Sequence, residues 1–336
     1  MREPTVAVVV RTKNRPLLLE RAIKSVLEQT YKDFQLVIVN DGGDPAPIEN
    51  LIKKHAKDIA GRVKLQNNKA SVGHGAACNV GLESSDSKYI VMLDDDDTWH
   101  KDFLETTIGY VDANTDCFGV VTASEVVYET IENDKVSFVK RESFLPEIKS
   151  INLFSMLGGN QFPNLAFLYR RSALKKVGKY AASASPLEDW DFNIRFLKHY
   201  DIHFIDKPLV YYHQRAEQTG ELGNSIFVPD FHSGQYNRLL NKYLREDLDK
   251  GVLGAGFIAN IVHQMLKARA SDLTFLNSLI RQSTTETHNG INTLHQKIDS
   301  IDGRTRNIES KLMSMAVIKA RRYARRAIKK LKPGRS

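Results

Sequence analysis

Two rhythms of apolar and polar positions alternate along the N-terminal part of the chain. Residues 6–10, Val-Ala-Val-Val-Val, form an unbroken apolar run of the kind found in a strand covered on both faces. Polar residues 11–15 come directly after it, and then Leu18, Leu19, Ala22, Ile23, Val26 and Leu27 recur at helical spacing with Pro16 in the first turn. A second strand is predicted over 34–39, ending in Asn40-Asp41-Gly42-Gly43-Asp44, with a helix from about 47 to 57. The pattern repeats at 63–65 and 76–82, and another strand starts at Tyr89. Strands alternating with helices predict an α/β fold, a doubly wound, mostly parallel sheet whose ligands bind outside the carboxyl ends of the strands. Residues 12–15, 41, 73–79 and 94–97 would then lie along one edge. Each stretch alone reads as an ordinary turn or helix start. Their common polarity at the same end is what points to a ligand site.

Further on the pattern loosens. It predicts a helix over 101–111, a strand over 118–123, a hairpin from 126–128 and 136–139, and a strand over 165–169. Helices from about 171 and over 187–199 come next, then strands over 203–205 and 209–213. Residues 214–225 are polar and glycine-bearing and read as a mobile loop or lid. The catalytic body is thus placed at 1–230 and a helical linker at 231–272. From residue 273 another logic takes over: Ile291, Leu294, Ile298, Ile301, Thr305, Ile308, Leu312 and Met315 are spaced 3, 4, 3, 4, 3, 4 and 3 apart. That is a heptad seam, which predicts a coiled coil over 273–315 and a homo-oligomer of two or three strands, while a single amphipathic helix packed back on the body would show the same pattern.

Charge changes the picture only at the C-terminus. The net charge is +8, yet residues 316–336 alone hold nine Lys or Arg and no acid, so the 48 bases fall to 39 against 40 acids over the rest. Apolar Val317, Ala320, Ala324, Ala327, Ile328 and Leu331 keep helical spacing among these cations, a pattern suited to lying on an anionic membrane surface. Nucleic acid is the competing anion, but no nucleic-acid module accompanies the helix, so no such partner is expected. Neither a signal peptide nor a run of 18 apolar residues is present, and Cys78 and Cys117 lack the spacing of a disulfide framework or zinc site. The expected location is the cytoplasm, peripheral on the inner face of the membrane.

The chemistry concentrates where the apolar run 89–93 meets Asp94-Asp95-Asp96-Asp97. Adjacent carboxylates repel, so solvent or a cation must offset them. Mg²⁺ or Mn²⁺ needs only one or two protein carboxylates when substrate phosphates complete its shell. A solvated acidic turn is the other reading; a Ca²⁺ loop of the EF-hand type lacks its glycine and terminal glutamate here.

Ordered blocks of the chain resemble the family 2 glycosyltransferases with the GT-A fold, a Rossmann-like architecture: Val8-Val9-Val10-Arg11-Thr12-Lys13-Asn14-Arg15-Pro16, Ser25-Val26-Leu27-Glu28-Gln29-Thr30-Tyr31, Val39-Asn40-Asp41-Gly42, and residues 73–81 with Asn79. Leu93-Asp94-Asp95-Asp96-Asp97, residues 169–178, and Leu187-Glu188-Asp189-Trp190-Asp191 continue the series, which covers roughly residues 4–215. The resemblance implies that Asp94 contacts the donor ribose, that Asp96 binds the metal bridging the diphosphate, and that Asp95 fills the middle of the motif. It implies nucleotide contacts for Thr12, Asn14, Arg15, Asp41, Asn79 and Asp95. Asp189 becomes the general base, with Glu188, Trp190 and Asp191 on the acceptor side. His213 is placed as a metal ligand, although Tyr212-His213-Gln214-Arg215 departs from the family's usual Arg-X-X-His form and leaves Arg215 as an equal candidate at the diphosphate.

The resemblance thus implies a metal-dependent inverting glycosyltransferase, hexosyl- or deoxyhexosyl-transferring. It would use Mn²⁺ or Mg²⁺ and a UDP-, dTDP- or GDP-sugar, with a saccharide or lipid-linked glycan acceptor of cell-surface polysaccharide synthesis such as O-antigen lipopolysaccharide or capsule. The rival is a non-catalytic scaffold of the same fold that binds partners through its coiled coil; Asp94, Asp96 and Asp189 speak against it. A nucleotidyltransferase would carry a glycine-rich phosphate loop where this chain has Arg-Thr-Lys-Asn-Arg-Pro.

Overall fold

The structure is a computed structural model of the 336-residue chain and describes residues 3–184, 186–227 and 233–251, scattered positions from 254 to 274, and 289–330. It divides into two compact units, Met1–Val262 and His263–Ser336.

In the first unit β1 (Val6–Thr12), β2 (Phe34–Asp41), β3 (Val63–Asn68) and β4 (Tyr89–Asp94) pair in parallel in the order β3-β2-β1-β4. Val6 to Val10 are shielded from solvent, as an all-apolar strand must be when helices cover both faces. α1 (Pro16–Leu27), α2 (Pro45–Lys54), the single turn α3 (Ala56–Ile59) and α4 (His74–Glu83) make the crossovers. α4 approaches β1 closely because Gly81 faces it; a Cβ there would sit 2.2 Å from Val9 Cγ1. The sheet continues through the short β5 (Thr98–Trp99), β6 (Gly119–Glu132), β7 (Lys135–Ser143), β8 (Phe167–Arg170) and β9 (Ile202–Gln214). β8 runs antiparallel between β4 and β6, β9 pairs β6 in parallel, and β7 and β5 pair antiparallel with β6 and β9. Among the described residues this gives a nine-stranded mixed sheet whose N-terminal half is parallel as expected.

Three boundaries differ from the sequence reading. The predicted strands at 118–123 and 126–128 are one 14-residue strand, β6, whose turn into β7 is made by Asn133 and Asp134 at positive φ. The two predicted strands at 203–205 and 209–213 likewise fuse into β9; its pairing with β6 shifts register beside Pro208, which has no N–H to give the ladder. The helix α9 (Ser233–Asp249), read as part of a linker beyond residue 230, belongs to the body. Leu239, Leu240 and Tyr243 are buried, and Tyr236 stacks on Trp190 with centroids 4.6 Å apart. Further helices in this unit are α5 (Phe103–Ala113), α6 (Leu153–Gly158), α7 (Leu174–Val177) and α8 (Glu188–Leu197).

In the second unit, α10 (Asn289–Lys330) is continuous through Gly303. Ile298, Ile308 and Met315 of the heptad seam are exposed. Residues 275–288 and 331–336 of the predicted coiled coil and basic helix lie outside the described residues. No helix among the described residues is long and apolar enough to cross a membrane.

Candidate active site

The carboxyl ends of β1, β2 and β4 open into a cleft of about 860 Å³, roofed by residues 216–227. Parallel pairing sets Arg11 of β1 beside Asp94 of β4. Arg11 donates from Nε and Nη2 to Asp94 Oδ1 at 3.0 and 2.8 Å and from Nη1 to Glu188 Oε1 at 2.9 Å. Burial resists ionisation of Asp94, but Arg11 holds its carboxyl below the usual range. Asp94 therefore keeps one oxygen, Oδ2, without a hydrogen bond among the described residues, on the wall of the cleft.

Asp96 also lines the cleft, and its Oδ2 is crowded: Arg15 Nη1 at 3.4 Å, Asn224 Nδ2 at 3.1 Å and Arg215 Nη2 all donate to it. Behind it sits Glu129 of β6, 5% exposed, which accepts four hydrogen bonds. They come from Arg21 (2.6 and 3.0 Å), His213 Nδ1 (2.8 Å) and Arg215 Nη1 (2.8 Å). Burial alone would raise the Glu129 carboxyl, but the hydrogen bonds from His213 and Arg21, with the Arg21 charge, bring it down to about 2. Burial lowers the basicity of His213, so its neutral ring donates from Nδ1 to Glu129 and accepts at Nε2 from the Thr98 hydroxyl, 2.9 Å away.

This geometry corrects one expectation. Both ring nitrogens of His213 are engaged here, the Nε2 lone pair by the Thr98 hydroxyl, and it is Arg215 that reaches the Asp96 carboxylate. Asp95 is corrected as well. Wholly buried, it faces Thr12 Oγ1 at 2.6 Å and Arg15 rather than the cleft, and burial pushes it up to about 6 despite Arg15. Thr12 and Arg15 thus spend their polar atoms on the acidic loop.

Asp41 caps the loop after β3. Its two oxygens accept from Asn68, Ser71, Val72 N and Gly73 N, and Gly42 lets that loop pack on the β2 turn, where a Cβ would lie 2.3 Å from Ser71 N. Asn79 trades both side-chain bonds with the backbone of Tyr180, so it fastens α4 to that segment instead of facing a nucleotide. Asn14, at positive φ, accepts from Asp44 N and donates to Glu221 of the roof at 3.1 Å.

At the start of α8 the pair Glu188-Asp189 faces the Arg11 side. Asp189 Oδ1 accepts from Trp190 N at 2.7 Å and Oδ2 from Asn160 Nδ2 at 2.8 Å; Asn193 donates to Asn160 Oδ1 at 3.0 Å, which fixes the orientation of the Asn160 amide. Burial, then the adjacent Glu188 charge, push the Asp189 carboxyl up to about 7. A carboxylate with no ion pair among the described residues that titrates near neutrality is suited to taking a proton. Trp190 and Asp191 turn the other way. Trp190 donates to Met156 O at 2.6 Å, and Asp191 is held by Arg195 at 2.7 Å and Tyr243 at 2.9 Å, so both are core and not acceptor pocket.

The sequence reading assigns no site role to Arg11, Glu129, Arg21, Asn160 or Asn224. Arg11 alone has a local signal, a charge ending an all-apolar strand.

No three His, Cys, Asp or Glu among the described residues are grouped to hold a metal. A preformed cage is therefore not the fit. Asp94 Oδ2 and Asp96 Oδ1 are each without a hydrogen bond among the described residues on the same cleft wall, and they suit Mn²⁺ or Mg²⁺ in the manner that leaves the remaining positions to phosphate oxygens.

A mixed α/β sheet with an acidic cluster at the end of a parallel strand is the arrangement of a GT-A-type fold. The family model described as glycosyl transferase family 2 matches residues 7–178, and the chain belongs to that family. It is 28% identical over 216 residues to an uncharacterized glycosyltransferase of Haemophilus influenzae, covering 64% of this chain and 79% of that one. It is 30% identical over 216 residues to the uncharacterized glycosyltransferase MJ1057 of Methanocaldococcus jannaschii, covering 63% and 71%. It spans only 38% of a larger uncharacterized glycosyltransferase of Rickettsia felis, 24% identical over 247 residues and 72% of this chain. Among solved structures, the mannosyltransferase PcManGT from Pyrobaculum calidifontis, in complex with GDP-Man and Mn²⁺, shares the fold at TM-score 0.50 and 15% identity over 91% of this chain and 88% of that one.

Proposed function

We propose that the chain is a metal-dependent, inverting hexosyl- or deoxyhexosyltransferase. It takes a UDP-, dTDP- or GDP-linked sugar and passes it to a saccharide or lipid-linked glycan acceptor of cell-surface polysaccharide synthesis. The observation that carries this reading is the pairing, through Arg11, of a cleft-facing Asp94 with the Glu188-Asp189 pair, whose second carboxyl has no ion pair among the described residues and titrates near 7. Asp189 takes the proton of the acceptor hydroxyl as that oxygen attacks the anomeric carbon, while the bond from that carbon to the diphosphate oxygen breaks on the opposite face. Asp94 holds the donor ribose, and Arg15 and Arg215 place positive charge beside the departing diphosphate. A Mn²⁺ or Mg²⁺ ion held by Asp96, with Asp94 beside it, would supply further charge neutralisation for that leaving group. Asp41 and the loop it orders form the wall for the nucleobase.

The C-terminal unit extends the proposal. The heptad seam of α10, with Ile298, Ile308 and Met315 exposed, pairs with that of another copy, and the cations of residues 316–336 rest on an anionic membrane at the cytoplasmic face. Support comes from the seam's spacing and the confinement of net charge to the tail. The test is release of nucleoside diphosphate from UDP-, dTDP- and GDP-sugars with Mn²⁺. One donor should turn over and lose turnover in EDTA; activity with none of them, or full activity in EDTA, refutes the reading.

A further inference from the structure

We propose that Arg11 is a positioning residue that yokes the donor carboxylate Asp94 to the acceptor-side pair Glu188-Asp189, so that the base keeps a fixed place relative to the bound donor. This rests on the glycosyl-transfer function proposed for the cleft. Three of the five N–H donors of one rigid guanidinium are used, two on Asp94 Oδ1 and one on Glu188 Oε1. Among the described residues no other side chain bonds to both carboxylates. Strand alternation explains the placement. Arg11 projects from the same face of β1 as Val9, the face that α4 covers, and its Cα is in register with Asp94 on the neighbouring strand. Glu188 is 2% exposed and opens α8, and Asp189 is the next residue, so whatever fixes Glu188 fixes the base.

Charge alone does not explain the arrangement. An ammonium would neutralise the two carboxylates equally well, whereas the planar fork also sets the distance and angle between them. A link of that kind acts on the reacting geometry, where a displacement near 1 Å costs about 10²-fold in rate. Its loss should therefore fall on turnover rather than on nucleotide affinity.

The experiment uses the full chain, with Arg11→Lys, Glu188→Ala and the double variant, at pH 8.5 so that Asp189 is ionised in each. Calorimetry measures UDP, dTDP and GDP binding with Mn²⁺, and hydrolysis of UDP-glucose, dTDP-glucose and GDP-mannose gives kcat and KM. Arg11→Lys keeps the charge and guards against misfolding, which a thermal melt checks. The expected result is nucleotide affinity within about 3-fold of the wild type, kcat lower by about 10²-fold in each single variant, and no further loss in the double, because both changes cut one link. The inference is overturned if Arg11→Lys keeps wild-type kcat, if the losses multiply in the double variant, or if the whole effect appears in nucleotide affinity. A wild-type chain that binds none of the nucleotides and hydrolyses none of the sugars overturns the proposed function together with this inference, whereas the three former outcomes overturn this inference alone.

Discussion

Replacing Glu129 by Gln tests the buried charge cluster behind Asp96. The carboxylate accepts four hydrogen bonds, from Arg21 twice, His213 and Arg215. A glutamine keeps one acceptor oxygen and points an amide N–H₂ at groups that are themselves donors, leaving the Arg21 guanidinium without its counter-charge and Arg215 with Asp96 alone. Two routes give the size. Glu129 falls from its ordinary 4.5 to about 2. A displacement of that size is worth about 3 kcal/mol of preference for the ionised form in the folded chain. Removing one partner of a buried ion pair independently costs about 3–5 kcal/mol, and the partial exposure of Arg21 favours the lower end. The sign comes from the lowered value: this stability is present in full above pH 4.5 and is lost as pH falls toward 2. Urea unfolding of wild type and Glu129→Gln should differ by about 3 kcal/mol at pH 7, and the gap should close on acidification. A difference under about 0.5 kcal/mol at pH 7, or one that persists unchanged in acid, refutes the reasoning.

Asp96→Ala should abolish turnover and Mn²⁺-dependent nucleotide binding together; retained metal-dependent binding would move the metal elsewhere. Asp189→Asn should spare donor affinity and lower the transfer rate by about 10²–10⁴-fold. Because a base must be unprotonated, wild-type rate should rise with pH through about 7 and the Asn variant should lack that limb; a flat wild-type profile excludes Asp189 as the base. Removing residues 316–336 should release the protein from anionic liposomes at low salt without changing its oligomeric state by light scattering, and undiminished co-sedimentation would place membrane binding in the body. Removing residues 270–336 should yield a monomer, and an oligomer that survives assigns self-association to the first unit.

The first four strands are legible because their apolar runs end in polar turns, so composition and position agree. Past residue 113 this coincidence ends. β6 carries Glu129 inside a sheet, held by Arg21, His213 and Arg215 from far along the chain, and Ser124-Glu125, which suggest a break between two short strands, continue the ladder with β7 and β9. The acidic loop is legible by its density of charge, but which carboxylates face the cleft is not. Asp95 and Asp96 differ by one position, and only the fold turns the first inward to Thr12 and the second toward the cleft. His213 escapes a local reading for the same reason. A histidine at a strand end looks available until Glu129 and Thr98, neither marked by any local pattern, take both its nitrogens.

The anchoring of the roof has a consequence for how the chain folds. Asp96 is joined to Arg215 and Asn224 across 119 and 128 residues, and Glu129 to Arg21 across 108. Contacts of such separation are late events, since the entropy of closing the intervening loop is spent before they return anything. A nascent chain with β1 to β4 already outside the ribosome therefore carries an acidic loop that has Arg11 and Arg15 within reach but lacks Arg215 and Asn224. Until β9 and residues 215–224 emerge, the Asp96 carboxylate has water in place of those two partners, which keeps the open edge of β4 from settling into a dry, misregistered sheet.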